Sequence, residues 1–139
     1  MVIDQFGRTL DYLRISLTDR CNLRCIYCMP QHIHFQPAAS LMTDEEIYRL
    51  TALFADLGFR KYRLTGGEPA VRMGILEIVH HLSHLSGVHD VVMTTNGMRL
   101  TALAQPLADA GLRRVNISLD ALNAQTFQRL TNRGDFEKV

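Results

Sequence analysis

The chain has 139 residues, of which 47% are hydrophobic and 21% charged, and its formal net charge is +1 at pH 7. This length allows one domain with a sizeable core, and a charge so close to zero gives no reason to expect a nucleic acid or a membrane surface as partner. No apolar run is long enough to span a membrane, and residues 1–10 lack the apolar core of a signal peptide. We therefore expect a cytoplasmic protein.

The first predicted strand covers residues 12–18, where apolar and polar side chains alternate. Successive side chains of a strand point to opposite faces, so one face would be apolar and the other would carry Arg14. The segment that contains every cysteine of the chain follows directly from the C-terminal end of this strand.

The three cysteines have the spacing Cys21-x3-Cys25-x2-Cys28. Thiolates are soft ligands of iron–sulfur clusters, zinc and copper(I), so this grouping indicates a metal centre. If the centre is a four-iron cluster, which usually takes four cysteines, three ligands leave one iron free to bind a small molecule. We expect the neighbouring Arg20 and Arg24 to lower the pKa of the thiols and so to favour the thiolates.

Two groups of histidines could also contribute to a metal site. A zinc ion held by the three cysteines and His32 or His34 is the alternative to a cluster, because short Cys/His segments commonly bind zinc. His80, His81 and His84 lie at helical spacing opposite an apolar stripe, and we interpret them as a solvated helix face.

Four strand–helix units are predicted along the chain, and the later strands are residues 61–65, 90–95 and 114–119. Thr43 and Glu46 form a capping box that begins a helix ending at Gly58. A second helix carries apolar residues between positions 75 and 85. A third begins near Thr101, and we expect it to start late or to kink because Pro106 has no N–H for an internal hydrogen bond. Asn123 can cap the last helix.

Consecutive strand–helix units predict an α/β fold with a parallel sheet. Both an open Rossmann-like sheet and a barrel fit this order. Strands buried on both faces should be continuously apolar, yet one face of each predicted strand is polar. Since ligands bind at the C-terminal ends of barrel strands, we favour an incomplete barrel with a polar lumen. The residues of the polar face are Arg14, Ser16, Thr18, Arg63, Thr65, Thr94, Asn96, Asn116, Ser118 and Asp120.

The cysteine spacing, with Tyr27 directly before the last cysteine, resembles the signature of radical S-adenosylmethionine (radical SAM) enzymes. The sequence Gly-Gly-Glu-Pro at residues 66–69 resembles their second motif, whose glycines let the main chain approach the ligand closely. The resemblance implies an incomplete βα barrel of the radical SAM type, with about four of its units present. It also implies a 4Fe-4S cluster on Cys21, Cys25 and Cys28, with S-adenosylmethionine on the open iron as the source of a 5'-deoxyadenosyl radical.

A closer resemblance is to the GTP 3',8-cyclase family of molybdenum cofactor biosynthesis. It rests on residues 13–22, 63–69, 94–97, 110–112 and 115–120. The resemblance implies that the radical abstracts the C3' hydrogen of GTP and that the sugar radical then attacks C8 of guanine. By motif position, Arg14, Arg63 and Thr94 would contact GTP, and Tyr27, Gly67 and Ser118 would contact S-adenosylmethionine. Arginines suit a triphosphate, to which they donate charge-assisted hydrogen bonds.

Members of that family are longer and carry a second, C-terminal cluster. We therefore interpret residues 1–139 as the N-terminal part of a radical SAM core domain, and we expect no GTP cyclisation by this chain alone. The expected partners are GTP and a one-electron reductant, and an unpaired sheet edge favours self-association into a homo-oligomer. Two alternatives stay open: another radical SAM enzyme, such as one that modifies peptides, and a non-catalytic metal-binding fragment.

Overall fold

The computed structural model describes residues 2–30 and 32–139, and it begins with a short antiparallel hairpin of β1 (Val2–Ile3) and β2 (Thr9–Leu10). The centre of the fold is a parallel sheet of four strands, which neighbour one another in chain order. They are β3 (Tyr12–Ser16), β4 (Lys61–Thr65), β5 (Asp90–Thr95) and β6 (Arg114–Ile117). A doubly wound sheet reverses its strand order at a switch point, so this unbroken order fits part of a barrel.

The predicted strands 61–65 and 90–95 are confirmed at both ends, whereas the first and last end earlier than expected. The ladder continues for one residue past each of these strands, since Leu17 N donates to the Thr65 carbonyl and Ser118 N to the Thr95 carbonyl, both at 2.9 Å. The chain then leaves the sheet, because the Thr18 carbonyl accepts from Gly67 N instead.

Four helices connect or follow the strands: α1 (Asp44–Asp56), α2 (Ile75–His84), α3 (Leu100–Asp109) and α4 (Ala124–Thr131). The predicted capping box is confirmed, with Glu46 N donating to Thr43 Oγ1 at 3.2 Å and Thr43 N to Glu46 Oε2 at 2.8 Å. The predicted cap of α4 is also confirmed, because Asn123 Oδ1 accepts from Thr126 N at 2.9 Å. Among residues 2–30 and 32–139, no helix is both long and apolar enough to cross a membrane.

The expected late start of α3 is wrong, since this helix begins at Leu100 and continues through Pro106 to Asp109. Proline removes the hydrogen bond to the carbonyl four residues earlier, which belongs to the exposed Ala102, where water can replace it. Burial of Leu107, which is 1% exposed, holds the helix against the core despite this loss.

The hydrophobic core lies between one face of the sheet and the first three helices. Its fully buried side chains include Tyr62, Leu64, Ile78, Val79, Leu82 and Met93. His80 and His84 are exposed as expected, but the prediction of a solvated face is wrong for His81, which stacks on Tyr48 of α1 with ring centroids 4.2 Å apart.

The opposite face of the sheet carries the predicted polar residues and remains largely accessible. Arg14, Asn116 and Ser118 are exposed, and Arg63 and Thr94 are partly buried. Thr18 departs from the expectation, since it is 6% exposed and packs under the loop that follows β4. A parallel sheet with helices on one side and an accessible polar face on the other confirms the predicted α/β architecture and is consistent with part of a barrel.

Candidate functional site

A cleft of about 240 Å³ opens at the C-terminal ends of β4, β5 and β6, between the cysteine segment and α4. It is lined by every predicted site residue except Arg14 and Arg63: Cys21, Cys25, Tyr27, Cys28, Gly67, Thr94 and Ser118. A larger cleft of about 570 Å³ lies beside the start of α1 and contains none of the predicted site residues in its lining. The cysteine cleft is therefore the candidate site.

The cysteine segment is held in place by the C-terminal end of α4. Arg24 N donates to the Thr131 carbonyl and Ile26 N to the Leu130 carbonyl, both at 2.9 Å. In addition, the side-chain Nδ2 of Asn132 donates a hydrogen bond to the Arg24 carbonyl at 2.9 Å. The last carbonyls of a helix have no partner inside it, so α4 offers acceptors that fix a loop more than 100 residues earlier in the chain. No local pattern in the sequence indicates this contact.

All three cysteines are free thiols, with Cys21 and Cys25 partly buried and Cys28 exposed. Within residues 2–30 and 32–139, no three His, Cys, Asp or Glu side chains lie close enough to share one metal ion. A zinc ion needs all of its ligands at about 2.0–2.3 Å, whereas each thiolate of an iron–sulfur cluster binds a different iron. Three free thiols that line one cleft therefore fit a cluster better than a single zinc ion.

The expectation that neighbouring arginines lower the thiol pKa values is wrong in its net direction for two of the cysteines. Burial raises the pKa of the Cys21 and Cys25 thiols above their ordinary value. For Cys21, the hydrogen bond from Leu23 N and the charge of Arg24 lower the pKa, but by less than burial raises it. Binding of a metal centre must therefore displace protons from these thiols.

Tyr27 connects the cysteine segment to the residues that follow β6. Its hydroxyl donates a hydrogen bond to the carboxylate of Asp120, which lines the same cleft. This hydrogen bond, together with burial, raises the pKa of Tyr27 above its ordinary value. Asp120 was predicted only as a residue of the polar face, and the structure adds its contact with the cysteine segment.

The glycines of the second motif pack against the backbone that leads into the cysteine segment. Gly67 N donates to the Thr18 carbonyl at 2.7 Å, and a Cβ on Gly66 would lie 2.5 Å from that carbonyl oxygen. A Cβ on Gly67 would overlap the Arg20 carbonyl oxygen. Close approach of main chain to main chain therefore requires these glycines. The Gly67 carbonyl accepts no hydrogen bond from residues 2–30 or 32–139.

Glu68 of the same motif is buried and accepts three hydrogen bonds. They come from Ala70 N at 3.0 Å, Thr95 Oγ1 at 2.7 Å and Asn96 N at 2.7 Å. Asn96 in turn donates from Nδ2 to Asn22 Oδ1 at 2.8 Å, beside Cys21. Glu68 thus joins the second motif to the end of β5, a role that sequence reasoning missed.

The residues predicted to contact GTP lie on the accessible face of the sheet, with Thr94 in the lining of the cleft and Arg14 and Arg63 outside that lining. Arg14 pairs in register with Arg63 on the neighbouring strand, and Arg63 Nη1 donates to Thr94 Oγ1 at 2.9 Å. Arg63 Nε also donates to the Tyr12 hydroxyl at 2.7 Å, a partner that the sequence did not suggest. In the described part of the chain, no acidic group lies within ion-pair distance of either arginine.

Comparison with known proteins agrees with this arrangement. The model of the Radical SAM superfamily matches residues 15–139. The chain is 49% identical over 138 residues to a GTP 3',8-cyclase of Pseudomonas putida (strain W619), an alignment that covers 99% of this chain and 41% of the relative. It is 49% identical over 139 residues to a GTP 3',8-cyclase of Petrotoga mobilis, and this alignment covers 99% of this chain and 43% of the relative. The chain thus spans about two fifths of the length of these relatives.

A solved structure shows the same fold. Streptococcus suis SuiB bound to its precursor peptide SuiA aligns with a TM-score of 0.68 at 17% identity, over 88% of this chain and 27% of that chain. At this level of identity the likeness concerns the fold alone.

Proposed function

The chain belongs to the radical SAM superfamily, and on this premise we propose that it is the N-terminal part of a GTP 3',8-cyclase. The cofactors of the superfamily are a 4Fe-4S cluster and S-adenosylmethionine. The observation that carries the proposal is the convergence of three thiols, Gly67 and Ser118 on one cleft, from segments that are far apart in the chain. Identity of 49% to named cyclases over nearly the whole chain supports the choice within the superfamily.

In this proposal Cys21, Cys25 and Cys28 hold the cluster, and Tyr27, Gly67 and Ser118 contact S-adenosylmethionine. When bound, these cofactors supply a 5'-deoxyadenosyl radical after one-electron reduction. The Gly67 N–H donates to the Thr18 carbonyl, which fixes the position of this residue. The Gly67 carbonyl accepts no hydrogen bond from residues 2–30 or 32–139, so it can accept one from the amino group of the ligand.

GTP would lie across the accessible face of the sheet, with Arg14 and Arg63 on its triphosphate and Thr94 beside them. Two neighbouring arginines without acidic partners in the described chain leave an uncompensated positive charge, which a triphosphate neutralises. The relatives are more than twice as long as this chain. We therefore assign the remaining contacts with GTP, and the cyclisation itself, to a longer chain.

The test begins with anaerobic reconstitution with iron and sulfide, followed by analysis of both elements and of reductive cleavage of S-adenosylmethionine to 5'-deoxyadenosine. The expected result is a 4Fe-4S cluster that each of Cys21→Ser, Cys25→Ser and Cys28→Ser abolishes together with the cleavage. Zinc bound tightly without sulfide would overturn the proposal. Cleavage with an affinity for GTP that Arg14→Ala and Arg63→Ala leave unchanged would instead favour a radical SAM enzyme of other specificity.

A further inference from the structure

Arg24 is a buried cation inside the cysteine segment. It is 8% exposed, and its guanidinium Cζ lies over the ring of Phe35, 5.2 Å from the ring centroid. Its Nη1 donates to the Cys21 carbonyl at 2.7 Å and to the Leu23 carbonyl at 2.6 Å, and it lies 3.8 Å from the sulfur of Met29. These contacts hold the guanidinium in one position within the loop that carries the three thiols.

The charge of Arg24 has no counter-ion among residues 2–30 and 32–139. No carboxylate in this part of the chain lies within ion-pair distance of it, and its buried Nε has no hydrogen-bond acceptor there. Its acceptors in the described residues are neutral: two main-chain carbonyls and the Met29 sulfur. A buried charge without an opposite charge is strongly unfavourable, so the position of Arg24 requires an anion close to the cysteines.

We propose that Arg24 is the counter-charge of the cluster held by Cys21, Cys25 and Cys28, and that it raises the reduction potential of that cluster. The inference rests on the proposed cluster site. A cluster bound by three thiolates has a net negative charge that increases when an electron is added, and cluster potentials depend on net charge and solvent exposure. A fixed buried cation therefore stabilises the reduced form more than the oxidised form.

The neighbouring Arg20 provides a matched comparison. It lies directly before Cys21 in the chain but is exposed to solvent. Water and salt screen the field of an exposed charge far more than that of a buried one. We therefore assign the effect on the cluster to Arg24 and not to Arg20.

The experiment compares Arg24→Gln, Arg24→Lys and Arg20→Gln with the parent chain after anaerobic reconstitution. Iron and sulfide content is measured first, and the midpoint potential is then measured by redox titration followed by electron paramagnetic resonance, without S-adenosylmethionine. At a given potential, the ratio of reduced to oxidised cluster in Arg24→Gln should be at least tenfold lower than in the parent chain. For a one-electron couple this corresponds to a midpoint potential more negative by at least about 59 mV. Arg24→Lys, which keeps the charge, and Arg20→Gln should remain near the parent value.

Each outcome decides the inference. An unchanged potential in Arg24→Gln would overturn it, and so would an equal decrease in Arg24→Gln and Arg24→Lys, which would indicate hydrogen bonding instead of charge. If Arg24→Gln takes up no cluster while Arg24→Lys does, the positive charge is required to hold the cluster, and the inference stands if Arg24→Lys keeps the parent potential and is wrong if it does not. If neither variant takes up a cluster, Arg24 serves only the folding of the loop and the inference is wrong. A parent chain that takes up no cluster would overturn the proposed function itself.

Discussion

The guanidinium of Arg63 donates from Nη1 to the hydroxyl of Thr94 at 2.9 Å, across two neighbouring strands. A second bond from Nε to the Tyr12 hydroxyl at 2.7 Å holds the other side of the same group. The Nη2 group donates to no acceptor in residues 2–30 or 32–139, and Arg14 lies beside Arg63 in the register of the sheet. Arg63 is therefore positioned before any ligand binds, which reduces the entropy lost on binding.

Replacement of Arg63 or Arg14 by alanine should weaken GTP binding by about 1.5–3 kcal/mol for each charged hydrogen bond that is lost. S-adenosylmethionine binding should remain nearly intact. Titration calorimetry of the reconstituted protein with each ligand measures both, and Arg49→Ala, at an exposed position of α1, is the control. An equal loss for both ligands would indicate misfolding, and an unchanged affinity for GTP would contradict the assignment of these arginines.

Tyr12→Phe removes one of the two acceptors that hold Arg63 while the positive charge stays in place. We expect a smaller loss of GTP affinity, about 0.5–1.5 kcal/mol, which is typical of one neutral hydrogen bond. The same calorimetric measurement applies, with Tyr48→Phe on α1 as the control. A loss as large as that of Arg63→Ala would mean that Tyr12 itself contacts the ligand.

Gly67→Ala should destabilise the fold by about 1–3 kcal/mol and lower the iron content after reconstitution, because the new methyl group overlaps the Arg20 carbonyl oxygen. Gly7→Ala is the control, since Gly7 has a φ of +77° but no atom within 4 Å of an added Cβ. Its cost is backbone strain alone, roughly 1 kcal/mol. Urea unfolding and iron analysis test the pair, and Gly67→Ala with normal iron content would count against the packing argument.

Glu68→Gln keeps the size of the side chain but replaces one acceptor oxygen by a donor that faces donors. Each buried partner left without an acceptor should cost about 1–3 kcal/mol of unfolding free energy. Glu77→Gln, at an exposed position of α2, should cost far less. Equal unfolding midpoints in urea for the two variants would contradict the structural role of Glu68.

His81 should make stability depend on pH. Burial against Tyr48 lowers its pKa below the ordinary value of about 6.5, and its buried Nε2 has no hydrogen-bond partner in the described residues. Between the lowered pKa and about 6.5 the unfolded chain binds more protons than the folded chain, so stability decreases as the pH falls through this window.

The slope for this single group is at most about 1.4 kcal/mol per pH unit. His81→Phe should remove it, whereas His89→Gln, at an exposed position, should leave it unchanged. Urea unfolding at about pH 7.5 and about pH 5.5 brackets the ordinary histidine pKa. The same decrease in stability on acidification in the parent chain and in His81→Phe would show that another group is responsible.

Several features of this protein follow from the sequence alone because they depend on residues close together in the chain. Alternating side chains predict β4 at its observed ends, Asn96 and Gly97 mark the end of β5, and Thr43 with Glu46 predicts the start of α1. Likewise, the spacing of three cysteines within one loop indicates a metal centre whatever the rest of the fold. Local geometry and local chemistry are sufficient for each of these conclusions.

Other features were decided only by the tertiary structure, because they join residues that are distant in the chain. Glu68 meets Thr95, Arg63 meets Tyr12, and the cysteine segment rests on the end of α4. The direction of the pKa shift at Cys21 also belongs here. Nearby arginines suggested a lower value, but burial, which depends on how the whole chain packs, is the larger effect and raises it.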